Sequence, residues 1–144
     1  MSSQESQGTL QGSCLCGGIR YEISGRLGSM SHCHCRMCQK AHGAAFGTYA
    51  PVAWDAFRVL TGEDLIQWFR SSDSVVRTFC GRCGSNLQYI PDGRTRFGLA
   101  VATLDDDPGG KVELQIWASS KAPWWTLSNE PPYFDTVPPR EDGI

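Results

Sequence analysis

The sequence predicts a mainly β fold, in which twisted sheets of short strands are joined by short irregular or helical turns and held by metal-binding cysteines. Apolar and polar residues alternate in a series of short segments, which is typical of half-buried strands. No segment shows a long run with helical periodicity. The seven cysteines fall into two pairs and one trio, a grouping that is typical of zinc-bound domains.

The expected strands cover, in chain order, residues 19–23, 44–50, 57–60, 65–70, 75–79, 87–90, 95–101 and 112–117. The second of these is expected to end before Pro51, because proline has no backbone N–H for a ladder hydrogen bond. We expect a frayed N-terminus over residues 1–11, a zinc domain over 12–125 and a proline-rich tail over 126–144 that packs on the domain.

Length and charge exclude several classes of protein. A chain of 144 residues favours one domain. The 13 Lys and Arg stand against 15 Asp and Glu, so the net charge of −2 lacks the basic excess of nucleic-acid-binding domains. The polar start does not have the apolar core of a signal peptide, and no stretch is long enough to span a membrane. We therefore expect a cytoplasmic monomer or homodimer without nucleic-acid or membrane partners.

The two cysteine pairs predict a closed structural zinc site. A reducing compartment favours metal thiolates over disulfides. In an extended segment Cys14 and Cys16 point to the same side while Leu15 points away. Cys80 and Cys83 form a C-x-x-C-G knuckle, which places two ligands on a tight turn. Together the pairs supply the four thiolates of a closed tetrahedral site.

The trio Cys33, Cys35 and Cys38 predicts a second, open site. Its C-x-C-x-x-C spacing places three thiolates on one short segment. Three ligands leave a fourth position for water or substrate, as in catalytic zinc sites. Zinc with three thiolates accepts a further sulfur readily, which favours thiol chemistry over hydrolysis.

Two histidines near the trio are candidates for moving a proton. His34 lies between two ligands and is expected to point away from the metal. His42 follows Cys38 by one helical turn, which places it on the same side. It is our candidate catalytic residue, with a supporting hydrogen bond to the site or a role as fourth metal ligand as the alternatives. Arg36 and Lys40 are candidates for binding a carboxylate of glutathione, or are simply solvated.

Four segments of the chain resemble one known family, and they are residues 12–18, 33–43, 79–85 and 120–124. This is the family of glutathione-dependent formaldehyde-activating enzymes, which includes centromere-protein-V-like members and has the Mss4-like fold called the β-tent. The resemblance implies two zinc ions. It implies a structural site and a catalytic site, the first formed by Cys14, Cys16, Cys80 and Cys83 and the second by Cys33, Cys35 and Cys38.

The leading hypothesis is a zinc-dependent carbon–sulfur lyase that forms or breaks thiol–aldehyde adducts of the S-hydroxymethylglutathione type. The resemblance implies a small thiol such as glutathione and a small aldehyde such as formaldehyde as its partners. Two alternatives remain open. One is a non-catalytic, zinc-stabilised binding module, because a fold alone does not decide function. The other is a redox or zinc sensor whose trio releases metal on oxidation.

Overall fold

The computed structural model describes residues 8–138. This part of the chain contains ten strands and one α-helix, so the prediction of a mainly β fold is confirmed. The elements are β1 (Thr9–Ser13), β2 (Arg20–Ser24), β3 (Met30–Cys33), α1 (Arg36–His42), β4 (Gly47–Ala53), β5 (Phe57–Thr61), β6 (Ile66–Ser72), β7 (Val75–Cys80), β8 (Asn86–Pro91), β9 (Arg96–Ala100) and β10 (Val112–Ile116).

The strands form two sheets. The smaller sheet is antiparallel, with the order β1-β2-β5. The larger sheet has seven strands in the order β10-β3-β4-β9-β8-β7-β6. Its strands pair antiparallel except β10 and β3, which run parallel. A parallel pair needs a long connection. The chain between β3 and β10 supplies it by building most of the larger sheet.

The main hydrophobic core joins the two sheets. Its buried residues come from β2 of the smaller sheet and from β4 and β9 of the larger one, and they are Tyr21, Ile23, Val52, Phe97 and Leu99. The buried hydroxyl of Tyr21 lies 2.6 Å from Thr103 Oγ1, which itself donates to the carbonyl of Ala100. Thr103 therefore accepts from Tyr21, and the one polar group of this ring is satisfied.

The structure changes the expected N-terminal boundary. Residues 9–11, expected as part of a frayed terminus, belong to β1 and pair with residues 22–24 of β2. The carboxylate of Asp106 accepts from the backbone N–H of Gln11 and holds the strand from its other side. The rest of the expected frayed segment, residues 1–7, lies outside the described residues.

The prediction that the second strand ends before Pro51 is wrong, because β4 continues to Ala53. Pro51 lies opposite Gly98 of β9. Its carbonyl accepts from the N–H of Gly28, on the side of β4 away from β9. The N–H and C=O of one residue point to the same side of an antiparallel strand. The hydrogen bond that proline cannot donate is therefore not one of those that join β4 to β9.

The described part of the C-terminal tail runs beside β10. Gln115 donates its backbone N–H to the carbonyl of Pro132, and its own carbonyl accepts from Phe134. Trp117 and Ala118 make similar bonds to Thr136 and Phe134. Residues 139–144 lie outside the described part. Within residues 8–138, no helix has the length and apolar character needed to cross a membrane.

Candidate metal centres and their surroundings

The first cluster brings together the two cysteine pairs. Cys14 and Cys16 follow β1, whereas Cys80 ends β7 and Cys83 lies in the turn to β8. All four Sγ atoms lie within 4.8 Å of one another. Cys14 Sγ is 3.5 Å from Cys16 Sγ, which is 3.9 Å from Cys80 Sγ. A tetrahedron with zinc–sulfur bonds of about 2.3 Å has edges of about 3.8 Å. The spacing of these sulfurs therefore fits zinc.

The segment of Cys14 and Cys16 is a turn, so the prediction that it is extended is wrong. The N–H of Gly17 donates to the carbonyl of Cys14 over 2.9 Å and closes the turn. The N–H of Ile19 donates to Cys14 Sγ over 3.2 Å. A turn can therefore direct backbone N–H groups at the sulfur. In a paired strand these groups would instead form hydrogen bonds with the neighbouring strand. The expectation for Leu15 holds, because its side chain points to solvent and is 86% exposed.

Hydrogen-bond donors favour the thiolate forms of Cys16 and Cys83 in this cluster, whereas burial raises the pKa of Cys80. Backbone N–H groups of Arg82 and Cys83 donate to Cys80 Sγ, and Arg82 Nε donates to Cys16 Sγ over 3.3 Å. The pKa of Cys16 is lowered by its bond from the backbone of Gly18 and then by Arg82. Bonds from the side chain and backbone of Ser85 lower the pKa of Cys83 to about 5. Thiolates stabilised in this way bind a metal against less competition from protons.

The second cluster is formed by the trio at the point where β3 leads into α1. Cys33 ends β3, Cys35 is the N-cap of α1, and Cys38 lies in its first turn. The N–H of Cys38 donates to Cys35 Sγ over 3.3 Å, so one sulfur also caps the helix. The three Sγ atoms lie within 4.8 Å of one another. Within residues 8–138, no histidine or carboxylate joins this group as a fourth ligand.

The three sulfurs control one another's ionisation. Hydrogen bonds from Cys33 and then Cys38 lower the pKa of the Cys35 thiol. The contacts of Cys33 with Cys35 and then Cys38 raise its pKa well above the usual range. For Cys38 the lowering effect of Cys33 is outweighed by Cys35 and burial, which raise its pKa to about 11. Cys35 is therefore the first of the three to lose its proton. A donor set of three sulfurs suits a soft divalent cation, which binds thiolates and would displace the protons that remain on Cys33 and Cys38.

Arg77 of β7 places a buried cation beside the trio. The residue is only 7% exposed. Its Nη1 and Nη2 atoms donate to Cys38 Sγ over 3.8 and 3.7 Å. Its Nε donates to Ser71 Oγ, and its guanidinium carbon lies 5.1 Å above the ring of Tyr89. Burial is the largest single effect and lowers the pKa of Arg77, but Cys38, Tyr49 and Cys35 together outweigh it, so the pKa is raised and the guanidinium stays charged.

Tyr49 links Arg77 to His42. Its hydroxyl oxygen accepts from Arg77 Nη1 over 3.3 Å and lies 2.6 Å from His42 Nε2. A guanidinium only donates, so the hydroxyl proton is free to point at His42. His42 Nε2 is then the acceptor, and the imidazole is neutral with its proton on Nδ1. Burial, followed by the charge of Arg77, lowers the pKa of His42 and favours this form.

Gly47 leaves the space that the His42 ring occupies. A Cβ added at Gly47 would lie 2.6 Å from His42 Cδ2 and 2.9 Å from a ring carbon of Tyr49. The structure thus brings His42 into the surroundings of the trio but commits its Nε2 to Tyr49.

The other candidate polar residues have different contacts. His34 is fully buried, and its Nε2 lies 2.9 Å from Gln115 Oε1, so its ring turns toward β10. Gln115 donates in turn to the carbonyls of Ser128 and Pro131, which ties this histidine to the tail. Arg36 donates to the side chain of Gln39 on the next turn of α1. Lys40 is exposed.

Arg77 and Tyr49 were missing from the candidates identified in the sequence. Arg77 did carry a signal. It occupies the same face of β7 as the buried Val75, where a solvated arginine is not expected. Tyr49 gave no such signal, because an aromatic residue in a strand is most often simply core.

Comparison with known proteins agrees with this geometry. The model of the family described as glutathione-dependent formaldehyde-activating enzyme matches residues 9–120. A Rhodobacter sphaeroides protein of known crystal structure is 21% identical and superimposes with a TM-score of 0.58. The match covers 71% of this chain and 96% of that one, and it supports the fold alone. The resemblance based on the cysteine motifs is thus confirmed: the chain belongs to the family of glutathione-dependent formaldehyde-activating enzymes.

Proposed function

We propose that this protein is a zinc-dependent carbon–sulfur lyase that forms and breaks adducts between a small thiol and a small aldehyde. Glutathione and formaldehyde are the substrates that the family suggests. In this proposal Cys14, Cys16, Cys80 and Cys83 hold a structural zinc, and Cys33, Cys35 and Cys38 hold a catalytic zinc.

One observation carries this proposal. The sulfurs of the trio lie together without a fourth ligand from residues 8–138, whereas the other cluster has four. A three-ligand site keeps one position for an exchangeable group. A soft metal with three sulfurs favours a further sulfur there, which makes a thiol the best-matched ligand.

When bound, zinc would keep the substrate sulfur in its thiolate form and stabilise the charge on it. Cys33, Cys35 and Cys38 would hold the metal at the junction of β3 and α1. In the forward direction the substrate sulfur gives an electron pair to the carbonyl carbon, and a C–S bond forms. The C=O electron pair moves to oxygen, which takes up the proton that the thiol released. The reverse reaction breaks the C–S bond and returns the pair to sulfur, so neither direction needs an oxidant or a reductant.

His42 and Tyr49 are our candidates for managing that proton. The proposed bond from Tyr49 Oη to His42 Nε2 leaves the imidazole neutral and able to take a proton. Burial raises the pKa of Tyr49, so its hydroxyl stays protonated near neutral pH. The pair would accept a proton on Tyr49 Oη while the hydroxyl passes its own proton to His42 Nε2, and the imidazolium formed in this way would return the proton by the reverse path.

Exchange spectroscopy by NMR tests the proposed activity. Glutathione and formaldehyde combine without a catalyst, so the rate of interconversion with S-hydroxymethylglutathione is measured at equilibrium. We expect the zinc-loaded protein to raise this rate in both directions without changing the equilibrium, and Cys35→Ser to abolish the increase. Equal rates with the wild type, with Cys35→Ser and without protein, across several thiols and aldehydes, would overturn the proposal and favour a zinc-stabilised binding module.

A further inference from the structure

Arg77 is a buried cation whose anionic partner is the cysteine trio. A buried guanidinium is strongly destabilising unless an opposite charge is nearby. Within residues 8–138, no Asp or Glu forms an ion pair with Arg77, and the ion pairs found there join Arg58 to Glu22 and Arg70 to Asp92. Its other contacts, with Ser71, Tyr49 and Tyr89, are neutral. Cys38 is therefore the group that compensates its charge.

The guanidinium is held rigidly at this place. Ser71 accepts from Nε on one side and Tyr49 accepts from Nη1 on another, while Tyr89 covers the planar face. Both Nη atoms then face the same sulfur. This use of several donors in one plane suits arginine and cannot be reproduced by the single ammonium group of lysine. The contacts fix both the position and the direction of the charge.

The charge count shows what this cation changes. Three thiolates and one divalent cation have a net charge of −1. A substrate thiolate at the fourth position would raise it to −2 in a buried site, where uncompensated charge is costly. With Arg77 included, the net charge of the site changes from 0 to −1 when the thiolate binds. A neutral fourth ligand leaves the net charge unchanged, whether or not Arg77 is counted.

We propose that Arg77 is a specificity-determining positioning residue, which lets the three-cysteine site accept an anionic sulfur ligand in preference to a neutral one. This inference rests on the proposed function, because it concerns the same site. It adds a role for a residue outside the cysteine motifs. Arg77 acts through Cys38 and through its charge, and it need not touch the substrate.

Ligand binding to the cobalt-substituted protein tests this role without an assay of activity. Glutathione is the anionic probe, since it binds as a thiolate, and imidazole is the neutral probe. Both are titrated at one fixed pH, and binding is followed in the cobalt absorption spectrum. We expect Arg77→Gln to weaken glutathione binding at least tenfold and to change imidazole binding less than threefold. Arg70→Gln, which removes a surface charge from the neighbouring strand β6, should leave both affinities unchanged.

A second variant protects the test against misfolding. Arg77→Lys keeps the charge but loses the planar contacts. It should keep the ratio of the two affinities within threefold of the wild-type ratio, because the charge remains beside Cys38. If circular dichroism shows that Arg77→Gln does not fold, Arg77→Met, which removes the charge with an apolar side chain suited to burial, takes its place. The inference would be overturned if Arg77→Gln weakened the binding of glutathione and of imidazole equally, or if Arg77→Lys lost the preference for glutathione over imidazole. Failure of the wild-type protein to bind glutathione would instead overturn the proposed function.

Discussion

The two cysteine clusters differ in what they hold together. The four-cysteine cluster joins residues 64 positions apart, such as Cys16 and Cys80, and connects the smaller sheet to the larger one. The three-cysteine cluster spans only residues 33–38, at the junction of one strand and one short helix. A bound metal closes a long loop in the first case and only a short one in the second. This difference supports our proposal that the first cluster stabilises the fold and that the second leaves a ligand position open.

The charged neighbours of the clusters show the same division. Arg82, beside the four-cysteine cluster, is exposed, and solvent weakens its effect on Cys16. Arg77, beside the trio, is buried and has no carboxylate partner within residues 8–138. A buried charge acts strongly on the groups it contacts. The comparison indicates that a neighbouring arginine affects the sulfurs more strongly at the site that we propose to be catalytic.

The largest expected effect follows from breaking the four-cysteine cluster. Structural zinc contributes about 10–16 kcal/mol in small zinc domains, as much as the whole stability of many domains. We expect Cys80→Ser, which alters a fully buried ligand, to leave the chain unfolded at 25 °C. Far-UV circular dichroism and thermal melting check this. A cooperative thermal unfolding transition at the wild-type temperature would show that this cluster has no structural role.

Cys35→Ser should give the opposite result. Cys35 is the N-cap of α1, and serine is a good N-cap residue, so the helix keeps a side-chain acceptor for the N–H of Cys38. We expect stability to change by no more than about 1 kcal/mol while glutathione binding is lost. Urea unfolding and calorimetric titration measure the two quantities. If this variant were as unfolded as Cys80→Ser, the division between the clusters would be wrong.

Tyr49→Phe tests the connection between Arg77 and His42. The ring keeps its packing, but two hydrogen bonds are lost, at a cost of about 1–2 kcal/mol. We expect the exchange rate of the adduct to fall about a hundredfold, the lower end of what one proton-transfer group contributes. Tyr133→Phe, which alters an exposed ring in the tail, is the control and should change neither quantity. Full activity in Tyr49→Phe would exclude it from the proton transfer.

The smallest effect is expected from Ser85→Ala. Ser85 lowers the pKa of Cys83, so its loss raises that pKa and lets protons compete with the metal at higher pH. Zinc release during acid titration should therefore begin at a higher pH, by less than about one unit. Zinc bound to the trio should be released as in the wild type. A zinc-sensitive dye follows both steps, and a shift toward lower pH would contradict this view of Ser85.

Much of the metal chemistry was predictable because it depends on local spacing. C-x-x-C and C-x-C-x-x-C fix the distances between sulfurs whatever surrounds them, and both groups gather as predicted. The boundary at Pro51 was not predictable, because it depends on which side of β4 meets Gly28. The contacts of Arg77 come from segments far apart in sequence. Its position in the alternating pattern of β7 therefore indicated that its side chain is buried, but not that it contacts Cys38. The tautomer of His42 depends on Tyr49 and Arg77 in the same way.

Zinc content per chain tests the central division most directly. The zinc-loaded protein is dialysed against a weak chelator, with and without glutathione, and the remaining metal is measured by atomic absorption. We expect two zinc ions per chain with glutathione, and without it one firmly held ion and one that is lost. The retained ion should also be present in Cys35→Ser. A protein that holds a single zinc and ignores glutathione in this experiment would contradict an open, thiol-binding site at Cys33, Cys35 and Cys38.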